Sequence, residues 1–271
     1  MDEGVRRFKR RLETEVLAHP VIVANPYTAW FKLGELDAAA ARAFLVQFSV
    51  FSNQFLVAQL QKVLNADTLE DMRASKEILA NEIGVGFRGP RAPDDEVLGS
   101  ADGSIEGGTF HFRAAHFELL VHMAREFGLD FAELGKRRFG TPATLFFCDE
   151  LVRLYASEDY RIAAAASWAV ENWAAAGFWD ELVQGWQRYA ERRGVSKRLN
   201  IGFFTWHARL EANHARHTWH EIETYCARHD VDEDAFIRHA NEMLDGVLVF
   251  WRGLDDQRRI LQGELQHAKT G

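Results

Sequence analysis

Apolar residues recur along this chain at three- and four-residue intervals almost from end to end, the period of helices that bury one face. The first stripe, Val5, Phe8, Leu12 and Val16, predicts a helix from about Asp2 to Ala18, stopped at His19-Pro20. An irregular segment is expected through Asn25-Pro26 to Gly34. Asp37, a good N-cap, opens a long helix over 38–64 with Phe44, Phe48, Phe51 and Phe55 packing inward. Thr68 starts another, which ends at Asn81-Glu82-Ile83-Gly84-Val85-Gly86. Residues 85–108 are rich in Gly, Pro and Asp and read as one long loop. Further helices are expected over about 112–127, 143–155, 158–176, 178–193, 201–229 and 231–266, several ending at a glycine. No stretch alternates convincingly enough to be a strand. The fold class is therefore all-α, a single helical domain over 1–271 built as a bundle of roughly seven or eight helices.

Composition narrows the function. A hydrophobic fraction of 47% with 5 prolines supports a sizeable core, and the net charge of −8, with basic residues only in pairs such as Arg137-Arg138, argues against nucleic acid as the main partner. Cys148 and Cys226 are far apart and form no zinc knuckle or disulfide framework. The start of the chain lacks a hydrophobic signal region, and no apolar run reads as long enough to span a bilayer, so a cytoplasmic protein without a membrane partner is the expectation.

The helix over 201–229 carries the chemistry. At about 100° per residue, His207, Glu211 and His214 project from one face, two imidazoles and one carboxylate that suit Fe, Mn or Zn. One helix cannot close a metal site, and surface His and Glu also occur on helices without metal. Candidate partners lie elsewhere. Glu171 sits in Trp168-Ala169-Val170-Glu171-Asn172-Trp173, where burial of a lone carboxylate is costly unless a cation or an arginine compensates it. His116 lies among apolar residues, where a core histidine is the plainer reading. Glu82 closes an apolar turn before a glycine pair, where an exposed helix end is the plainer reading.

The order Glu82-Ile-Gly-Val-Gly, His116-Phe-Glu-Leu-Leu with Phe127-Gly128-Leu129, Ala169-Val-Glu171-Asn, then His207 to His214, resembles the haem-oxygenase-like di-iron oxidases and oxygenases, whose helical fold is shared by TenA- and PqqC-like proteins. The resemblance runs from about residue 40 to 225. It implies two Fe(II) ions held by Glu82, His116, Glu171, His207, Glu211 and His214, with O2 as co-substrate. Two departures stand out: an insertion separates Glu82 from His116, and Arg113 occupies a position where some members carry a carboxylate ligand. Glu106 and Glu118 are the fallback ligands to Glu82, although Glu118 points away from His116 on a straight helix.

Three glutamates would offset about three of the roughly four positive charges of two Fe(II) ions, leaving a near-neutral centre open to O2. The implied substrates are small amino acids, amines or fatty acids. The implied outcomes are N-oxygenation, desaturation or C–C cleavage in a biosynthetic setting. Arg113 is a candidate anchor for a substrate carboxylate, a surface salt bridge being its plainer role. An external electron donor and a homodimer are compatible with this reading. The rivals are a ferritin-like di-iron bundle using Glu211/His214 with Glu264/His267, a metal-free TenA-like hydrolase using Cys148, a haem protein using His19, and a non-enzymatic binding module.

Overall fold

The computed structural model describes residues 3–88, 104–105, 108–112 and 115–269, and its helices begin where side chains can cap them. Helix α1 (Glu3–Glu15) buries Phe8 and Leu12. The segment expected to be irregular contains two one-turn helices, α2 (Pro20–Val23) and α3 (Pro26–Phe31). Each has proline in its first turn, where no backbone N–H is needed, and a capping side chain before it, His19 and Asn25. Asp37 and Thr68 then cap α4 (Ala38–Leu64) and α5 (Leu69–Glu82) by accepting from Ala40 N and Asp71 N.

The expected loop over 85–108 is corrected at residues 85–88, 104–105 and 108, while 89–103 and 106–107 lie outside the described residues. Gly84, at φ 71°, takes the left-handed conformation that ends α5, and the chain leaves as a strand. Strand β1 (Val85–Arg88) pairs antiparallel with β3 (Gly108–Phe112), and β2 (Ser104–Ile105) pairs with the other edge of β3. Sequence periodicity could not show this, because strands this short have no hydrophobic repeat to read. The helix expected from about 112 accordingly starts later, as α6 (His116–Arg125).

Beyond two 3-10 turns, Thr141 caps α7 (Pro142–Glu150), whose last turn widens into a π-helical segment over Leu151–Tyr155. There follow α8 (Tyr160–Ala174), α9 (Phe178–Arg193), α10 (Gly202–Arg228) and α11 (Glu233–Lys269). The helical elements outnumber the seven or eight expected. The fold is all-α with a small sheet inserted between α5 and α6.

One hydrophobic cluster draws on every helix from α1 to α11 except α5. Helix α4 runs through it, with Phe44 and Phe48 fully buried and 5.1 Å apart between ring centres. Phe31, Trp186, Phe204, Phe250 and Trp251 pack around them. Length and composition alone would let α4 cross a membrane, contrary to expectation: its most apolar window has mean hydropathy 1.3 and is 50% buried within the bundle. Its buried Gln47 and Ser49 side chains are matched locally. Gln47 donates to Phe139 O and accepts from Thr141 N, and Ser49 accepts from Gly135 N.

Helix α5 buries only Ser75 and is tied to α4 by polar contacts: Tyr155 Oη donates to Gln59 Oε1 at 2.5 Å, and Gln59 Nε2 donates to Ser75 O at 2.8 Å. Helix α10 packs against α9, α8 and α6.

Close packing of α3 on α9 depends on Gly185. A methyl group there would lie 2.3 Å from Phe31 O and 2.5 Å from Phe31 Cδ1, so backbone must move to admit it. Gly185→Ala is expected to lower the unfolding free energy by about 2–3 kcal/mol in urea titrations. Gly263→Ala, in α11 with nothing within 4 Å of the added methyl, is expected to raise it by about 0.5–1 kcal/mol. Equal effects at the two positions would refute this account of the packing.

Candidate metal centre

The β1–β3 pairing decides where the chain puts its chemistry. Val85 faces Phe112 across the ladder. Glu82, three residues before one strand, and His116, four residues after the other, are therefore delivered to the same place. Glu82 is the last residue of α5 and His116 the first of α6. Their side chains meet with His116 Nδ1 2.9 Å from Glu82 Oε2, the imidazole buried and the carboxyl group partly shielded. His207 arrives from the second turn of α10. One ligand atom from each of Glu82, His116 and His207 lies within 4.8 Å of the other two. This group can hold a metal ion.

The ring of His207 is prepared for that role. Its Nδ1 lies 2.7 Å from Phe203 O, and a carbonyl only accepts, so Nδ1 carries the hydrogen and Nε2 keeps its lone pair. Desolvation pushes its pKa down from 6.5 to about 4, so the ring is neutral at neutral pH, as a ligand must be. The desolvation comes from rings. Trp179 stacks on His207 at 4.5 Å and 17°, Phe203 packs at 4.3 Å, and Trp206 meets it edge-on at 5.1 Å. Trp206 also packs on His116 at 4.0 Å, and the two imidazoles are themselves 5.1 Å apart.

The other expected site residues are placed as follows. Glu171 is half-buried on α8 and does not join the other three within 4.8 Å. Glu211 and His214 belong to the unbroken helix α10, so their backbone positions keep the i+4 and i+7 spacing from His207, but their side chains lie outside the described residues. Arg113 and Glu106 also lie outside them. Glu118 is exposed and accepts from Ala115 N at 3.1 Å, capping α6; it is Glu82 that lies beside His116.

Two rival sites find no support. Cys148 is fully buried, and burial pushes its thiol up to about 12, where no useful thiolate forms. His19 caps α2 through Nδ1 and faces Asp245 Oδ1 at 3.2 Å through Nε2, so both ring nitrogens are engaged. Sequence reasoning missed the aromatic residues around the imidazoles. Phe203 and Trp206 flank His207 in the sequence and were visible. Trp179 is on another helix and gave no signal.

No protein-family model and no curated protein matches the sequence. Solved structures do match over nearly the whole chain. A domain of unknown function with a haem-oxygenase-like fold from Shewanella denitrificans is 13% identical, with a TM-score of 0.63 over 97% of this chain and 95% of that one. The fold is haem-oxygenase-like. A CADD-like protein of unknown function from Nostoc punctiforme shares it at 17% identity, with a TM-score of 0.62 over 95% of this chain and 99% of that one. So does a TenA homologue from Pseudomonas syringae pv. tomato, at 14% identity and a TM-score of 0.59 over 94% and 92%. At these identities the likeness is one of architecture, and the bundle expected from the motif order is the one found.

The buried imidazole makes the metal-free protein acid-sensitive. His207 binds a proton less readily folded than unfolded, so the native state loses stability as pH falls from the unfolded value of 6.5 through about 4. The loss approaches roughly 3 kcal/mol at its acid limit. Urea titrations of metal-free wild type and His207→Gln at pH 7, 5.5 and 4 check this. The variant is expected to lose less stability than wild type over that range, and parallel curves would contradict it.

Proposed function

We propose that this chain is a non-haem di-iron oxygenase or oxidase acting on a small organic substrate. The observation that carries the reading is the approach of Glu82, His116 and His207 from three separate helices to within 4.8 Å. One carboxylate and two imidazoles are the donor set of oxygen-reactive Fe(II), which keeps open positions for O2 and substrate. These residues fit one iron. Glu171, Glu211 and His214 are the further ligands this reading requires for a second. Iron bound there would supply the capacity to activate O2 for oxidation of a bound amine, amino acid or fatty acid by N-oxygenation, desaturation or C–C cleavage.

The chain's own part is to bind, orient and exclude water. Phe203 O holds the Nδ1 hydrogen of His207 and so reserves Nε2 for metal. Glu82, beside His116 Nδ1, would supply the carboxylate oxygen to a bound metal. Trp179, Phe203 and Trp206 replace water around the imidazoles, which strengthens the field of a bound cation. Arg113 is the proposed anchor for a substrate carboxylate. The metal-free TenA-like hydrolase implied by the resemblance is disfavoured by the buried thiol of Cys148.

Anaerobic Fe(II) titration with optical spectroscopy tests the proposal. Two irons per chain are expected, and O2 exposure is expected to give a new visible band. His207→Ala and Glu82→Gln are each expected to weaken iron binding about 10- to 100-fold or more. Wild-type protein that binds no iron, or His207→Ala that binds two normally, would overturn it.

A further inference from the structure

The His207 imidazole is held by a surface as well as by a hydrogen bond. The bond from Nδ1 to Phe203 O is made within its own helix, and the imidazole torsion about Cβ–Cγ is intrinsically broad. Phe203, Trp206 and His116 meet the ring at steep angles, and the one near-parallel ring against it among the described residues comes from α9. Trp179 lies almost parallel to it, 17° off with centroids 4.5 Å apart, and a ring cannot turn edge-on through a flat neighbour at that separation. Trp179 is itself braced by Phe178 at 4.6 Å, Phe48 at 5.8 Å and Phe203 at 6.1 Å. Its indole nitrogen is buried with no hydrogen-bond partner among the described residues. Trp168, Trp173, Trp186 and Trp251 share that feature, and what sets Trp179 apart is its near-parallel stacking on an imidazole.

We infer that Trp179 is a positioning residue of the centre. Its indole face fixes the plane of the His207 ring, which keeps the Nδ1 hydrogen on Phe203 O and Nε2 presented as the metal-binding nitrogen. Flatness, rather than volume or hydrogen bonding, is the property required. Trp179→Phe therefore retains the function, and Trp179→Leu, apolar but not flat, loses it. The metal-affinity part of this inference rests on the reading of the site as a metal centre; the control of the His207 ring does not.

The experiment has a metal-free arm and a metal arm. In the first, long-range ¹H–¹⁵N correlations at fixed neutral pH report which ring nitrogen of His207 carries hydrogen. Wild type and Trp179→Phe are expected to show a single Nδ1–H form, and Trp179→Leu a mixture. In the second, Co(II) titration followed by its ligand-field spectrum is expected to give affinities within about threefold for wild type and Trp179→Phe. Trp179→Leu is expected to bind about 10- to 100-fold more weakly, with an altered band.

A mixture of forms in wild type overturns the inference without any variant, which covers the case in which the leucine protein does not fold. A Trp179→Leu protein with one form and wild-type Co(II) affinity also overturns it. If wild type binds no Co(II) while the ring forms behave as expected, the metal reading fails and the positioning of His207 stands. If Co(II) binds equally to wild type and Trp179→Leu, the metal reading stands and the positioning role fails.

Discussion

The antiparallel ladder between β1 and β3 is the constraint on which the centre depends. Glu82 and His116 are separated by 33 intervening positions, |i−j| = 34, yet they touch, because Val85 pairs with Phe112 and brings both ends of the insertion to one point. Backbone hydrogen bonds between strands do not depend on side-chain identity, so this closure tolerates the Gly-, Pro- and Asp-rich composition between them. Gly84 is the hinge of the arrangement: a left-handed residue directly after the α5 C-cap lets the helix stop at Glu82 and the strand begin at once. Helix α5 has almost no buried face of its own. Its position comes from packing along α4, the Gln59–Ser75 hydrogen bond and the ladder.

The second constraint is electrostatic. Two imidazoles and a carboxylate are gathered beside aromatic rings, where water is scarce and a charge is costly. Without metal the protein satisfies these groups with each other and with backbone: Glu82 with His116, and His207 with Phe203 O. A cation entering there meets a carboxylate and nitrogen lone pairs in a low-dielectric setting, and competes with protons that the same setting disfavours on His207. The neutral His207 that results is compatible with a bound cation, and the same burial is expected to cost stability in acid.

The haem-oxygenase-like architecture by itself is silent on chemistry, because one fold hosts many functions and likeness at 13–17% identity is one of architecture. What distinguishes readings is which side chains the bundle points inward. Cys148 is locked in the core at a helix turn with its thiol suppressed, and His19 is consumed as a cap. The Glu82/His116/His207 group is polar, partly shielded and mutually close, which is why it carries the functional proposal.

Much of this was legible in the residue order. The caps at Asp37 and Thr68, the stop at Gly194 and the phenylalanine stripe of α4 placed most helices within a few residues, because capping and helical periodicity act over one or two turns. The His207, Glu211, His214 spacing was readable for the same reason. The small sheet was not, since its β1–β3 pairing joins residues more than twenty apart and its strands are too short to show a repeat. The insertion between Glu82 and His116 accordingly read as grounds for doubting Glu82, when pairing turns it into the device that delivers it. The stacking of Trp179 on His207 and the depressed basicity of that ring were likewise beyond the sequence. Local order set the elements and the ligand types; contact between distant segments, which no local pattern encodes, decided which of them meet and in what dielectric.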